Sequence, residues 1–172
     1  MQTIAQDANI VLIGMPGVGK STVGVLLAKA ASRSFLDTDI YIQAFENRGL
    51  QSILDAEGRD AFLRIEERHI LSLDGRGQVI ATGGSVVYSD AAMAHLKAGG
   101  VVVHLDLPCE LIEERLRNLG SRGVVKERSQ TVCALYVERQ PFYRKHADVT
   151  VECTGLNHEQ VVARIVAALG LK

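Results

Sequence analysis

The sequence predicts an α/β fold, a three-layer α/β/α arrangement around a five-stranded parallel sheet. Short apolar runs alternate with helical patterns along the chain, which implies right-handed βαβ units with helices on both faces of the sheet. The first run leads straight into GMPGVGKS (14–21), which fits the phosphate-loop pattern G-x-x-x-x-G-K-[ST]. The 172 residues are 47% hydrophobic and 23% charged, as in one ordinary globular domain.

NIVLIG (9–14) is a short, largely apolar run and reads as a buried parallel strand. STVGVLLAKAA (21–31) is the next helix, whose N-terminus adds N–H groups and a favourable dipole for phosphate. FLD (35–37) is a short second strand with Asp37 and Asp39 at its end, followed by a helix over about 40–46 and a turn at 47–49. A longer helix is expected over about 57–73, where Phe62, Ile65, His69 and Leu73 recur at helical spacing. QVIATGG (78–84) is a third strand that runs into paired glycines, and 90–97 is helical. GVVVHLDL (100–107) is the fourth strand, and Pro108 opens a helix over about 110–118. GSRGVVKERS (120–129) is polar and glycine-rich, an expected exposed and mobile loop. A helix over 131–146 is expected to be interrupted near Pro141. DVTVEC (148–153) is the fifth strand, and an amphipathic helix over 157–169 follows. No linker or repeat divides the chain, so 1–172 is read as a single domain.

A formal net charge of -1 offers no global field for nucleic acid or an anionic membrane. No apolar run approaches the roughly 20 residues that span a bilayer. MQTIAQDAN, at the start, has no basic region of signal-peptide type, so a cytoplasmic location is expected. Cys109, Cys133 and Cys153 are far apart, odd in number and lack any C-x-x-C pair. They read as small apolar residues with free thiols, not as a disulfide framework or a zinc site.

In open α/β sheets ligands lie at the carboxyl ends of the strands. That rule gathers 14–21, Asp37, Asp39, Gly83 and Gly84 into one crevice. Gly14, Gly17 and Gly19 let the loop backbone bring its N–H groups to phosphate oxygens. Lys20 would reach the β- and γ-phosphates, and the Ser21 hydroxyl would hold Mg²⁺. No N-K-x-D element for guanine is present. Leu105 and Asp106 are a weak imitation of the acidic strand end of an ATP-driven motor. Asp37 and Asp39 suit phosphoryl transfer better: one carboxylate for the metal, the other to orient or deprotonate an acceptor hydroxyl. Asp39 also reads as a cap for the following helix. Arg122, in the polar loop, could close over the γ-phosphate and exclude water. Arg115 and Arg139 are further candidates, and each arginine alone also reads as a solvated surface residue.

With these residues in place, the chain resembles the shikimate kinase family over about 9–169. The resemblance rests on GMPGVGKST (14–22), LDTD (36–39), FLRIEE (62–67), ATGGS (81–85), RGVV (122–125) and ERQPFY (138–143). It implies a P-loop NTPase fold of nucleoside-monophosphate-kinase type with a mobile lid over about 119–130. It also implies ATP-dependent phosphorylation of a small-molecule hydroxyl, shikimate to shikimate 3-phosphate, in aromatic amino acid biosynthesis. The implied nucleotide contacts are Gly17, Val18, Gly19, Lys20, Ser21, Thr22, Arg115 and Arg122, with Arg115 packed on the adenine. Ser21 and Asp37 would serve Mg²⁺, the aspartate through water. Asp39, Gly83, Gly84 and Arg139 would bind the acceptor, Arg139 at its carboxylate. Lys20, Asp39 and Arg122 would carry catalysis, with Asp39 as the candidate base. A monomer with ATP and a small molecule as its only partners is implied.

Three departures touch the acceptor pocket. The family pattern F-R-x-x-E would place an arginine at position 63, where this chain has Leu63 followed by Arg64. One helical step rotates a side chain by about 100 degrees, so Arg64 would face elsewhere. Losing one charge-assisted carboxylate contact would cost roughly 1.5–3 kcal/mol. Ser85 stands where a third glycine is common and would add a hydroxyl. The lid reads RGVV in place of R-P-L-L, keeping Arg122. A kinase of a different, more apolar hydroxylated acceptor beside Leu63, or a non-catalytic nucleotide-binding module, remain the alternatives.

Overall fold

The computed structural model describes residues 4–119 and 130–171. Its centre is β1 (Asn9–Ile13), in which every residue is buried. β1 lies between β3 (Gln78–Ala81) and β4 (Gly100–Asp106), with β2 (Ser34–Asp37) and β5 (Val149–Glu152) at the edges. All pairings are parallel, in the order β2-β3-β1-β4-β5. A strand flanked on both sides and covered on both faces needs apolar side chains in both directions. That is why NIVLI shows no alternation. The chain builds one side of the sheet through β2 and β3, then crosses β1 to build β4 and β5. Such a reversal of strand order opens a crevice at the carboxyl ends beside β1.

The helices are α1 (Lys20–Ala30), α2 (Thr38–Glu46), α3 (Leu50–Leu71), α4 (Asp90–Gly99), α5 (Cys109–Leu119), α6 (Val132–His146) and α7 (His158–Leu169). α1 packs on α7 and β3, α3 packs on α4, and α5 packs on α6. The main core unites β1, β3 and β4 with α1, α4 and α7 through Ile10, Leu12, Leu27, Val79, Met93 and Ile165. Ile42, Leu50, Ile53, Phe62 and Ile65 form a smaller cluster that joins α2 to α3.

Four expectations are corrected. α3 is two helical stretches joined at a kink at Gly58 (φ 81, ψ 173): the stretch after the kink is the helix expected over about 57–73, and the one before it, from Leu50, was not expected. α6 runs through Pro141 without interruption. A proline frees the carbonyl four residues earlier, here Val137, which is 70% exposed, so no buried acceptor is orphaned. Asp39 does not cap α2. Asp37 does, its Oδ1 accepting from Asp39 N at 3.0 Å and Ile40 N at 3.3 Å. Cys109 and Cys133 form a disulfide with a Cα–Cα separation of 5.0 Å, because the pairing of α5 with α6 brings them together. Cys153 is a buried free thiol, as expected. Arg122 and the loop 120–129, the body of the expected lid, lie outside the described residues. Among the described residues, no helix is long and apolar enough to cross a membrane.

Candidate active site

A cavity of about 530 Å³ opens at the carboxyl ends of β1 and β3. The phosphate loop forms its floor. Gly19 (φ 106) is the N-cap of α1 and supplies no side-chain cap, so the helix's first N–H groups are left for an anion. A β-carbon is disfavoured at that φ, which accounts for the glycine. Lys20 is buried, and its Nζ donates to Gly14 O at 2.7 Å and Met15 O at 2.9 Å. Burial pushes its pKa down to about 8; Arg139 adds to the fall, while Asp39 and Asp37 oppose it. Ser21 and Thr22 line the same cavity.

At one end, Arg115 Nη1 donates to Val18 O at 3.0 Å and holds α5 against the loop. Leu116 approaches Gly17 closely: a Cβ there would meet it at 3.0 Å. Leu156, Asn157 and His158 close this end from the β5–α7 connection. The sequence reading missed these three residues. Their signal was available, since the segment after a fifth strand also ends at the carboxyl edge.

At the other end, Asp39 lines the cavity with its pKa raised to about 6, first by burial and then by Asp37, against the pull of Lys20. Thr38 Oγ1 accepts from Gly83 N at 3.1 Å, so the N–H of this glycine serves the fold. Gly83 sits between two carboxylates: a Cβ there would lie 2.4 Å from Glu66 Oε1 and 2.9 Å from Asp39 Oδ1. Glu66 is 2% exposed and takes a hydrogen bond from Ser85 Oγ on Oε2 at 2.7 Å. Its other oxygen has no partner among the described residues. Burial raises its pKa to about 7; the Ser85 bond opposes this and the Asp39 charge adds to it. Ser85 thus engages Glu66, a partner the sequence did not reveal.

Gly84 lines the cavity, and its carbonyl accepts from Tyr143 Oη at 2.8 Å. Arg139 is buried behind it, with Nη1 2.8 Å from where a Gly84 Cβ would stand. Arg139 Nε donates to Tyr88 Oη at 3.1 Å. Leu63 does not line this cavity. It packs on the α2–α3 cluster and borders a separate small cleft with Arg64 and Tyr88, so it supplies no apolar wall to an acceptor. Asp106 is tied to Tyr136 Oη at 3.1 Å and Gln140 Nε2 at 2.9 Å, which leaves it a structural role.

The donors near the loop fit Mg²⁺. Ser21 offers a hydroxyl in the cavity, and the capping role of Asp37 uses only Oδ1, a hard-oxygen set for a hard cation. Among the described residues, Cys109, Glu110 and Cys133 also have metal-compatible spacing, but both thiols are consumed in the disulfide.

A phosphate loop on an uncapped helix is a P-loop nucleotide site, and Asp39 across the same cavity fits the small-molecule kinases of that class. The comparisons narrow that class. Residues 16–170 match the shikimate kinase family. A shikimate kinase from Halorhodospira halophila is 39% identical over 165 residues, covering 94% of this chain and 93% of that protein. The structure of shikimate kinase from Acinetobacter baumannii in complex with shikimate superposes with a TM-score of 0.83 at 29% identity, covering 94% of this chain and 92% of that one. Shikimate kinase from Aquifex aeolicus gives 0.78 at 30% identity, covering 94% and 96%. The chain belongs to the shikimate kinase family.

Proposed function

We propose that this chain, acting as one domain, transfers the γ-phosphoryl group of ATP to a hydroxyl of shikimate, giving shikimate 3-phosphate. The observation that carries the reading is the placement of Asp39 in the same cavity as Lys20 and the phosphate loop. Loop N–H groups and Lys20 bind and orient the phosphates. Arg115 and Leu116 border the nucleotide base. Mg²⁺, held through Ser21 and Asp37, neutralises phosphate charge when bound. Gly84 and Arg139 position the acceptor, and Asp39, ionised above about pH 6, takes the proton from its hydroxyl. Arg122, from outside the described residues, serves the transferred phosphate as the family resemblance implies. The reading includes a cytoplasmic monomer without nucleic-acid or membrane partners, consistent with a net charge of -1.

Leu63 stands where the family pattern has an arginine, so a kinase of another small alcohol is the outcome to test against this reading. An ADP-release assay with Mg·ATP, with and without shikimate, separates the two. Shikimate-dependent turnover in wild type is expected. No turnover in wild type, with activity appearing in Leu63→Arg, would mean that the kinase machinery serves a different acceptor.

A further inference from the structure

Cys109 is the first residue of α5 and Cys133 the second of α6, and both are partly exposed. Their bridge ties together two helices that serve opposite ends of the cavity. α5 serves the nucleotide end: Arg115 donates to Val18 O, and Leu116, about two turns along from Cys109, approaches Gly17. α6 serves the acceptor end through Arg139. The two helices are held unequally. α6 is fixed by Tyr136 and Gln140 on Asp106 and by Tyr143 on the Gly84 carbonyl. α5 buries Ile112 in the core, but among the described residues its one side-chain hydrogen bond to another element is that of Arg115. The covalent bridge is therefore the strongest tie on the helix that borders the nucleotide. A domain of 172 residues with a continuous core does not need such a staple to fold, unlike the small secreted domains that depend on disulfides. In the cytoplasmic location read above, an accessible bridge is exchangeable and redox-sensing rather than permanent.

We propose that Cys109 and Cys133 form a thiol–disulfide exchange site whose oxidised form seats α5 on the phosphate loop for ATP, and whose co-reactant is a dithiol. The role rests on the nucleotide part of the reading above and not on the identity of the acceptor. One thiolate of the dithiol attacks the sulfur of one cysteine, and the other cysteine leaves as a thiolate. The second thiol of the reductant then displaces the remaining cysteine and closes the reductant's own disulfide. Two electrons and two protons pass to the protein, which gains two thiols; the oxidised form of the dithiol runs the exchange in reverse. Without the bridge the first turn of α5 is released from α6. Arg115 and Leu116 must then be ordered when the nucleotide binds rather than before it.

The test measures ATP binding by calorimetry, and KM for ATP and shikimate, on oxidised protein and on protein reduced with dithiothreitol. Both forms are studied at a temperature where circular dichroism shows each to be folded. Reduction is expected to weaken ATP binding ~10-fold, the scale of ordering two side chains on binding, and to leave KM for shikimate within about 2-fold. Of the three cysteines, thiol titration of the unfolded protein should count Cys153 alone before reduction and all three after it. Cys109→Ser and Cys133→Ser should bind ATP as the reduced wild type does and ignore the reductant. Cys153→Ser, which removes only the buried free thiol, should keep the full response. Equal ATP affinity in the two states overturns the proposal. So does an equal loss for ATP and shikimate, which marks the bridge as a general staple, and so does a thiol count that dithiothreitol leaves unchanged. ATP binding in neither state overturns the nucleotide reading itself and the proposal with it, a result distinct from the others.

Discussion

Replacing Gly83 by alanine would drive one methyl group between the two carboxylates at the acceptor end. The new Cβ would stand 2.4 Å from Glu66 Oε1 and 2.9 Å from Asp39 Oδ1, where ordinary contact begins at 3.4 Å. Glu66 must therefore retreat by about 1 Å and Asp39 by about half as much. Glu66 has little room: it is 2% exposed and tied to Ser85 at 2.7 Å. Overpacking of this kind costs ~1–3 kcal/mol, and losing the Ser85 bond adds ~1 kcal/mol. At ~2–4 °C per kcal/mol for a domain of this size, the melting temperature should fall by roughly 4–16 °C. A 1 Å misplacement of a reacting group costs about 100-fold in rate, so the half-ångström shift of Asp39 should lower kcat by ~10-fold. Thermal melting followed by circular dichroism, with ADP release at saturating substrates, reads both quantities. A Gly83→Ala protein with wild-type kcat that melts within about 2 °C of wild type would refute the convergence of the two carboxylates on this Cα.

The pH dependence of kcat/KM should be bell-shaped. Asp39 must be ionised to take a proton, so activity rises with pH through about 6, and it falls again above about 8 as Lys20 loses its charge. Asp39→Asn should lower kcat by ~10²–10⁴-fold, abolish the acid limb and leave KM for ATP unchanged; an acid limb that survives in this variant assigns it to another group. Reducing the Cys109–Cys133 bridge, whose cysteines are 24 residues apart, should cost ~3 kcal/mol, and Cys109→Ser should melt at the temperature of the reduced wild type. A melting temperature indifferent to reductant would show that the two thiols are unpaired in solution.

The strands and the phosphate loop were legible because their signals are local. IVLI (10–13) is apolar on both faces, and the glycine spacing after it follows from backbone geometry around a phosphate. The boundaries failed where a local rule met a tertiary circumstance. Pro141 predicts an interruption, yet α6 continues because the freed carbonyl belongs to exposed Val137. Gly58 masks the first turns of α3, which Leu50 and Ile53 hold by packing on α2. At the site, Asp39 and Arg139 were nameable from motifs, and the family resemblance lent them roles. The partners of Glu66 and Tyr88 were not, since nothing in their spacing says which strand end they meet.

By itself the sequence determined the class of architecture, the crevice and the nucleotide end of the site. Each of these depends on residue type at short spacing. Only the tertiary structure decided that Asp37 caps α2 while Asp39 lines the cavity. It also decided that two cysteines in separate helices meet and that Leu63 turns to a core cluster. These are distances between segments far apart in the chain, and such distances are fixed only when the sheet and its helices close on a common core.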